Sequence, residues 1–452
     1  MSQASSSTPV DRRDFMKAAG VAAAGIATAS IVNNAYAGGS DTIKVGLIGC
    51  GGRGTGAAHD CTSSAPGVKL WALGDVFKRQ VDGAKKNLGK ALGDKFEVAD
   101  DRCFDGLDAY QKVLESGVDL VILATPPGFR PLHLEAAVQA GKNIFTEKPV
   151  GVDGPGIRKV LDLVDKAKEK KLAVGAGTQR RHQTSYRQTM KLIHDGAIGD
   201  IVAARAYWNG GGIWFRKRED WMSDAEYQIN NWYHFVWTCG DHIVEQHVHN
   251  LDVINWAMND HPISAMGMGG RSNRDENIVK QFPESQREEL LRERDPAKLG
   301  QIFDHFAVEY KYKNGVVMQS YCRHIANCAD SVSEALVGTK GTCFTRDGGP
   351  YEINGKSVFE GPDNKPYVQE HTDLIESIRK GEPLNELKNV AESTLTAILG
   401  RMTTYSGQTV TWDEALKSQD KTFPDKLSLK ISLPVSPVPV VGAGPRKARK
   451  GK

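Results

Sequence analysis

Everything else in this 452-residue sequence has to be arranged around one stretch, IKVGLIGCGGRG, Ile43 to Gly54. Ile43, Val45, Leu47 and Ile48 form a short β-type apolar run, and Gly49, Gly51 and Gly54 follow in G-x-G-x-x-G spacing. Glycines so placed permit a tight turn, a close backbone approach to a pyrophosphate, and a helix packed hard on the strand. The N-terminus of that helix, with unpaired N–H groups and the positive end of its dipole, then seats an anion. A second apolar run, VKLWALGD, ends in Asp75, 21 residues beyond Gly54. That spacing suits the acid that binds an adenosine ribose. The stretch therefore predicts a dinucleotide site built by Gly49, Gly51, Gly52, Arg53, Gly54 and Asp75. Asp75 repels a 2′-phosphate, which favours NAD as the cofactor, while Lys78 and Arg79 keep NADP open.

The rhythm continues downstream. DGLDAYQKVLESG reads as a helix, VDLVILATPP as a buried strand, RPLHLEAAVQAGK as a helix and NIFTEKP as a strand and turn. Strands alternating with helices predict a parallel sheet covered on both faces. Ligands in such sheets bind beyond the C-terminal ends of the strands. Thr125, Pro126, Pro127, Glu147 and Lys148 all fall there, and Thr125, Pro126, Glu147 and Lys148 join the expected cofactor site.

Glu147-Lys148-Pro149 after the fifth strand, together with GLIGCGGRG, resembles the glucose–fructose oxidoreductase / inositol dehydrogenase / rhizopine-catabolism family. GTQRRH (177–182), ALVGTKGT (335–342) and SGQTVTWDEAL (406–416) extend the resemblance over nearly the whole chain beyond residue 37. The resemblance implies an α/β fold: an N-terminal Rossmann dinucleotide-binding domain, then an α+β domain with a mainly antiparallel open-faced sheet. It also implies that Lys148 stands between nicotinamide and substrate, with a cis bond to Pro149. Read from the residues alone, an ammonium in a partly dry cleft can trade a proton with a hydroxyl or hold a substrate oxygen. The alternative is an exposed loop lysine held by a neighbouring acid.

GDHIVEQHVHNLDVINWAM (240–258) reads as one helix. At helical spacing His242, Glu245, His249 and Asp252 share a third of the circumference, and His247 points away. Glu245 then sits one turn before His249 and would orient its ring as a general base. Family resemblance places Glu245 on an Asp of a D-x-x-x-H pattern, His249 on its catalytic His and Asp252 on a trailing Asp. The Glu-for-Asp change is a departure. Two other readings stay open: core histidines bonded to backbone, or a metal site of His242, His247 and His249. The expected catalytic set is Lys148, His249 and Glu245, without a metal.

Five tryptophans, Trp208, Trp214, Trp221, Trp232 and Trp237, crowd residues 207–237. Flat aromatic faces beside amides and arginines suit a sugar ring, and aromatic core packing is the alternative. Trp208, Trp232, His234, Arg181 and His249 are the expected substrate contacts. Asp304, His305, Arg323 and His324 are polar pairs on strands to which the sequence gives no role. FDHFAVEYKYKNGVVMQSYCRH alternates and turns at Asn314-Gly315, a hairpin. Residues 274–300 read as a charged surface excursion, and 367–380 and 388–404 as closing helices. A sheet open on one face predicts a homodimer or homotetramer.

DRRDFMKAAG (11–20), an apolar run from Ala18 to Val32, and Ala35-Tyr36-Ala37 resemble a twin-arginine export signal. That route carries folded proteins, often with cofactor aboard, and implies the translocase as a partner and an exported or periplasmic location. The 15-residue run is short of the ~20 residues that span a bilayer, so no stable membrane span is expected. The expected division is 1–37 signal, 38–175 nucleotide domain, 176–433 substrate and oligomerisation domain, its last helices free to pack on the first domain, and 434–452 flexible basic tail. Five of the last seven residues are basic while the whole chain carries only +3, which argues against a nucleic-acid partner. Seven scattered cysteines without CxxC spacing indicate free thiols, with a Cys322–Cys328 pair as the alternative. The sequence thus predicts an exported oxidoreductase that acts on a hydroxyl of a sugar, glycoside or polyol. A redox-assisted glycosidase and a non-catalytic nucleotide- and sugar-binding regulator are the rival readings.

Overall fold

The computed structural model describes residues 42–442; the expected signal segment and the basic end of the tail (446–452) lie outside the described residues. Strands β1 (Ile43–Ile48), β2 (Val68–Asp75), β3 (Cys103–Asp105), β4 (Leu120–Leu123), β5 (Asn143–Thr146) and β6 (Val174–Ala176) form one sheet in the order β3-β2-β1-β4-β5-β6. Every pairing in it is parallel. Helices α1 (Gly52–Ser64), α2 (Lys78–Leu92), α3 (Ala109–Glu115), α4 (Arg130–Gln139) and α5 (Gly154–Glu169) make the crossovers. With helices on both faces the central strand β4 is buried throughout, which is why Leu120 to Leu123 is an unbroken apolar run. The strand order reverses between β1 and β4, and the crevice this opens lies beyond the C-terminal ends of the strands.

The second sheet has nine strands. β7 (Ile201–Gly210) lies between β10 (Val317–His324), to which it is parallel, and β11 (Ser331–Gly338), to which it is antiparallel. β8 (Ser264–Gly270), β9 (His305–Lys311), β12 (Gly341–Arg346), β13 (Tyr351–Ile353), β14 (Lys356–Ser357) and β15 (Val410–Thr411) complete it with antiparallel pairings. β9 and β10 form the expected hairpin, with Gly315 at φ 88° in its turn. The helices Val248–Met258 and Leu387–Ser406 cover one face, where Leu251, Ile254, Leu395 and Leu399 share a core with Val308, Tyr310 and Met318. The other face is open: Met268 is 70% exposed and Met266 56%, with the exposed Tyr321 in the same row as Met268.

Residues 274–300 are not a bare excursion. They fold into three short helices, Arg274–Val279, Glu284–Glu293 and Pro296–Leu299, around a small core of Phe215, Ile278, Val279, Leu290 and Leu299. The closing helices run over Pro366–Lys380 and Leu387–Ser406, and the first packs beside α1 at the glycine loop. Tail residues Val435 and Val438 pack against apolar clusters. Among the described residues all seven cysteines are free thiols, with Cys322 buried and Cys328 exposed, and no helix is long and apolar enough to cross a membrane.

Candidate active site and nucleotide cleft

The glycine loop fits a pyrophosphate. Gly49 has φ 101°, and a Cβ there would meet the Ala124 carbonyl carbon and the Thr125 nitrogen at 2.6 Å. A Cβ on Gly54 would lie 1.9 Å from the Gly49 oxygen, so only glycine lets α1 sit this close to β1. A Cβ on Gly51 or Gly52 would meet nothing within 4 Å: the space above the first turn is open. No side chain caps that turn and it holds no acid, which leaves its N–H groups for an anion. Asp75 ends β2 and accepts from the Cys50 N–H (2.7 Å) and the Phe77 N–H (2.9 Å). Burial raises its carboxyl above the ordinary range, against those bonds and the nearby Arg79.

From this loop a cleft of about 520 Å³ runs between the two domains. Gly49, Gly51, Gly52, Arg53, Gly54, Asp75, Thr125, Pro126, Glu147 and Lys148 all line it, and so do Glu245, His249, Trp208 and Trp232. Thr125 is held by His133 (3.1 Å) and, through its carbonyl, by Arg130 (2.5 Å). Two further residues were not legible in the sequence. Arg53 ion-pairs with Glu147 and reaches Glu370 at 3.1 Å, and its guanidinium lies 4.7 Å from the Tyr367 ring centre. Glu370 and Tyr367 sit on the helix Pro366–Lys380, more than 300 residues from the loop, and no local pattern marks them.

Lys148 follows β5, its bond to Pro149 cis as the resemblance implies. Its Nζ donates to the Glu245 carbonyl (2.6 Å) and to Glu245 Oε1 (3.2 Å). This corrects the single-helix reading of 240–258. The segment is two helices, His242–Glu245 and Val248–Met258, broken at Gln246-His247. His247 turns into the second sheet, where its Nε2 meets Ser320 Oγ at 2.7 Å, and His242 faces Asp241 at 3.1 Å. The break swings Glu245 away from His249 and onto Lys148.

His249 stacks on Trp208, ring centres 5.8 Å apart and planes 21° from parallel. Among the described residues no group hydrogen-bonds its ring nitrogens. Burial, then the cations of Lys148, Arg180 and Arg53, hold its imidazole well below the ordinary range, so it is neutral at pH 7 and keeps a ring-nitrogen lone pair as an acceptor.

Other expected contacts lie elsewhere. Arg181 does not line the cleft. Its guanidinium pairs with Asp252 through Nε (2.9 Å) and Nη2 (3.0 Å), and Ser393 also donates to that carboxylate. His234 is fully buried behind the wall and bonds the Trp214 carbonyl at 2.7 Å; it positions Trp214, which does line the cleft. Trp237 is core, and Trp221 lies over Arg79 at 5.3 Å. Asp304 accepts from three successive backbone N–H groups, Ser272 to Arg274, and from His305. Arg323 donates to the Ala329 carbonyl. His324 holds Gln246 at 2.6 Å, and Gln246 faces the cleft. Among the described residues no three His, Cys, Asp or Glu side chains are grouped to hold a metal.

Residues 43–178 match the model of an oxidoreductase family with an NAD-binding Rossmann fold, and residues 190–415 match its C-terminal alpha/beta domain. Residues 9–29, outside the described part, match a twin-arginine translocation pathway signal sequence, which directs export. An inositol 2-dehydrogenase of Azotobacter vinelandii is 25% identical over 50% of this chain and 56% of its own. A glycosyl hydrolase family 109 protein of Shewanella baltica is 24% identical over 49% of this chain and 50% of its own. The chain thus spans about half the length of the curated relatives it matches. Among solved structures, scyllo-inositol dehydrogenase from Lactobacillus casei with bound NAD(H) and scyllo-inositol superposes with a TM-score of 0.58 at 19% identity, over 82% of this chain and 99% of that one. Aldose-aldose oxidoreductase from Caulobacter crescentus with glycerol gives 0.60 at 15% identity, over 82% and 99%. At these identities the structures show the shared fold. The chain belongs to the glucose–fructose oxidoreductase / inositol dehydrogenase / rhizopine-catabolism family of oxidoreductases, with an NAD-binding Rossmann domain, a C-terminal α/β domain and a twin-arginine export signal.

Proposed function

We propose that this protein is an exported NAD-dependent dehydrogenase acting on a secondary hydroxyl of a sugar, glycoside or polyol. One observation carries the reading: the Lys148 ammonium and the neutral His249 imidazole line the same cleft as the glycine loop and Asp75. Bound NAD supplies the hydride acceptor that turns a CH–OH into a carbonyl. Lys148, fixed by Glu245 from two directions, holds the substrate oxygen. His249, set in place by Trp208, takes the hydroxyl proton. Glu245 therefore serves Lys148 as a positioning residue, and His249 is placed by stacking instead of by a carboxylate. Trp208, Trp214 and Trp232 offer apolar faces to the C–H side of a ring, and Gln246, held by His324, offers an amide to its hydroxyls. Asp75 supports NAD over NADP. The exposed face with Met266, Met268 and Tyr321 supports a homo-oligomer closed through the second sheet, which sedimentation of the purified chain measures.

A second reading is favoured by the similarity to a family 109 glycosyl hydrolase: a sugar CH–OH would give its hydride to bound NAD, the ketone would acidify a neighbouring C–H so that a glycosidic substituent is eliminated, and water addition with return of the hydride would leave free sugar and NAD. Incubation with inositols, free sugars and aryl glycosides separates the two. Net NADH with a keto product supports the dehydrogenase. Free aglycone without net NADH supports the glycosidase. Tight binding of nucleotide and sugar with no turnover of any of them overturns both and leaves a sensor.

A further inference from the structure

The adenosine end of the cleft has one wall from each domain: Val76, Phe77 and Leu107 from the first, Ile229 and Asn230 from the second. One direct bond joins these walls, Arg79 to Asn230 Oδ1 at 2.7 Å. A second tie comes from the chain's end. Thr422 donates through its N–H (2.7 Å) and its hydroxyl (2.9 Å) to Asp153, at the start of α5 in the first domain. Phe423 then packs edge-on against Phe129, ring centres 5.3 Å apart, and against Trp237 at 5.6 Å. The chain crosses to the second domain, where Ser223 bonds the Leu429 carbonyl, Gln228 the Leu433 carbonyl (2.6 Å), and Asp224 accepts from Ser432 (2.8 Å). Along the way Leu427, Leu429, Leu433 and Val435 pack into the cluster that holds Phe77, Phe129 and Ile229, three side chains that line the cleft on their other side.

We propose that residues 419–435 are a retaining strap: they clamp the two walls so that a dinucleotide, once bound, leaves only after the strap lets go. The strap does not line the cleft and touches neither Lys148 nor His249, so its role is to set how long the nucleotide stays, not the chemistry. Detaching it exposes the aromatic and leucine contacts together with several hydrogen bonds to both domains, and that combined cost adds to the barrier for release. A chain exported already folded thereby keeps its cofactor where no free nucleotide is at hand. The proposal rests on the nucleotide binding of the function proposed above.

The test loads the full chain with NADH and follows release by loss of bound-NADH fluorescence during a chase with excess NAD. Phe423→Ala speeds release about tenfold or more, a factor equivalent to about 1.4 kcal/mol. Thr422→Val, which removes one of two bonds to Asp153, speeds it about threefold or more. Tm without nucleotide is measured alongside. Variants that melt earlier yet release NADH at the wild-type rate make the strap merely structural and overturn the proposal. Should Phe423→Ala not fold, Thr422→Val decides alone, and an unchanged release rate overturns the proposal. Failure of the wild-type chain to bind NADH at all is a different result: it removes the nucleotide reading on which the strap depends.

Discussion

Two glycines three residues apart, given the same methyl group, should fail in opposite ways. At Gly54 the new Cβ would start 1.9 Å from the Gly49 oxygen and 3.1 Å from its carbonyl carbon. Both are backbone atoms, and Gly49 is itself wedged against Ala124 and Thr125. Relief requires α1 to back away by about 1.5 Å, the gap between 1.9 Å and an ordinary 3.4 Å contact. Overpacking of this kind costs about 1–3 kcal/mol of stability, or about 1–4 °C in Tm for a unit of this length. The retreat also carries the first-turn N–H groups away from the phosphates. Losing one or two charge-assisted bonds costs about 2–4 kcal/mol, roughly 30-fold to 1000-fold in Kd for NADH. At Gly51 the same methyl meets nothing, and the backbone there, φ −72° and ψ −177°, suits alanine. Gly51→Ala should therefore melt no lower than wild type, yet bind NADH at least about tenfold more weakly, because the methyl enters space the pyrophosphate needs. The assays are NADH fluorescence titration and thermal melting of both variants side by side. Wild-type affinity in Gly51→Ala would refute the placing of the pyrophosphate over the loop, and a wild-type Tm in Gly54→Ala would refute the packing argument.

Lys148→Met should lower kcat by about 10²–10³, the usual loss when a donor to the reacting oxygen is removed, while NADH Kd stays within about threefold. Near-normal turnover removes Lys148 from the mechanism. Glu245→Gln keeps the backbone bond to Lys148 but drops the ion pair, so kcat should fall about tenfold to a hundredfold with nucleotide release unchanged; a fall in NADH affinity instead would place Glu245 in the cofactor site. A pH effect is expected at the domain junction, where His182 lies between Asp373 (2.7 Å) and Glu386 (3.2 Å). Burial pushes its imidazole down, but these carboxylates outweigh burial and raise it to about 9. A raised folded-state value means that the stability His182 contributes, about 3 kcal/mol, is complete below pH 6.5 and lost as pH rises through 9. The unfolding free-energy gap between wild type and His182→Gln should accordingly close between pH 6.5 and 10, and a constant gap over that range contradicts the linkage.

What could be read in the sequence was local. The glycine loop and Asp75 are separated by one helix, and Lys148 follows its strand by two residues, so spacing alone places them at the same end of the sheet. The fold's alternation is legible for the same reason, each strand and helix carrying its own apolar period. What could not be read depends on partners far along the chain. Arg181 is drawn from the cleft by Asp252, Arg53 is held by Glu370, and the strap at 419–435 finds its contacts near residues 77, 129, 153 and 229.

The helix break at Gln246-His247 is the instructive case. Nothing in GDHIVEQHVHN forbids a continuous helix, and continuous geometry would leave Glu245 one turn from His249. Tertiary partners decide otherwise: Ser320 takes His247, and Lys148 takes the Glu245 carbonyl that a continuous helix would have spent on the N–H of residue 249. That freed carbonyl is the shorter of the two bonds on the ammonium. The departure from the Asp that the family resemblance implies at this position then has a physical reading. Once the break turns the side chain toward Lys148, the longer Glu reaches Nζ at 3.2 Å, and an Asp, one methylene shorter, falls out of hydrogen-bond range from the same backbone. Sequence and structure differ here because the lysine that needs the carboxylate is 97 residues away from it.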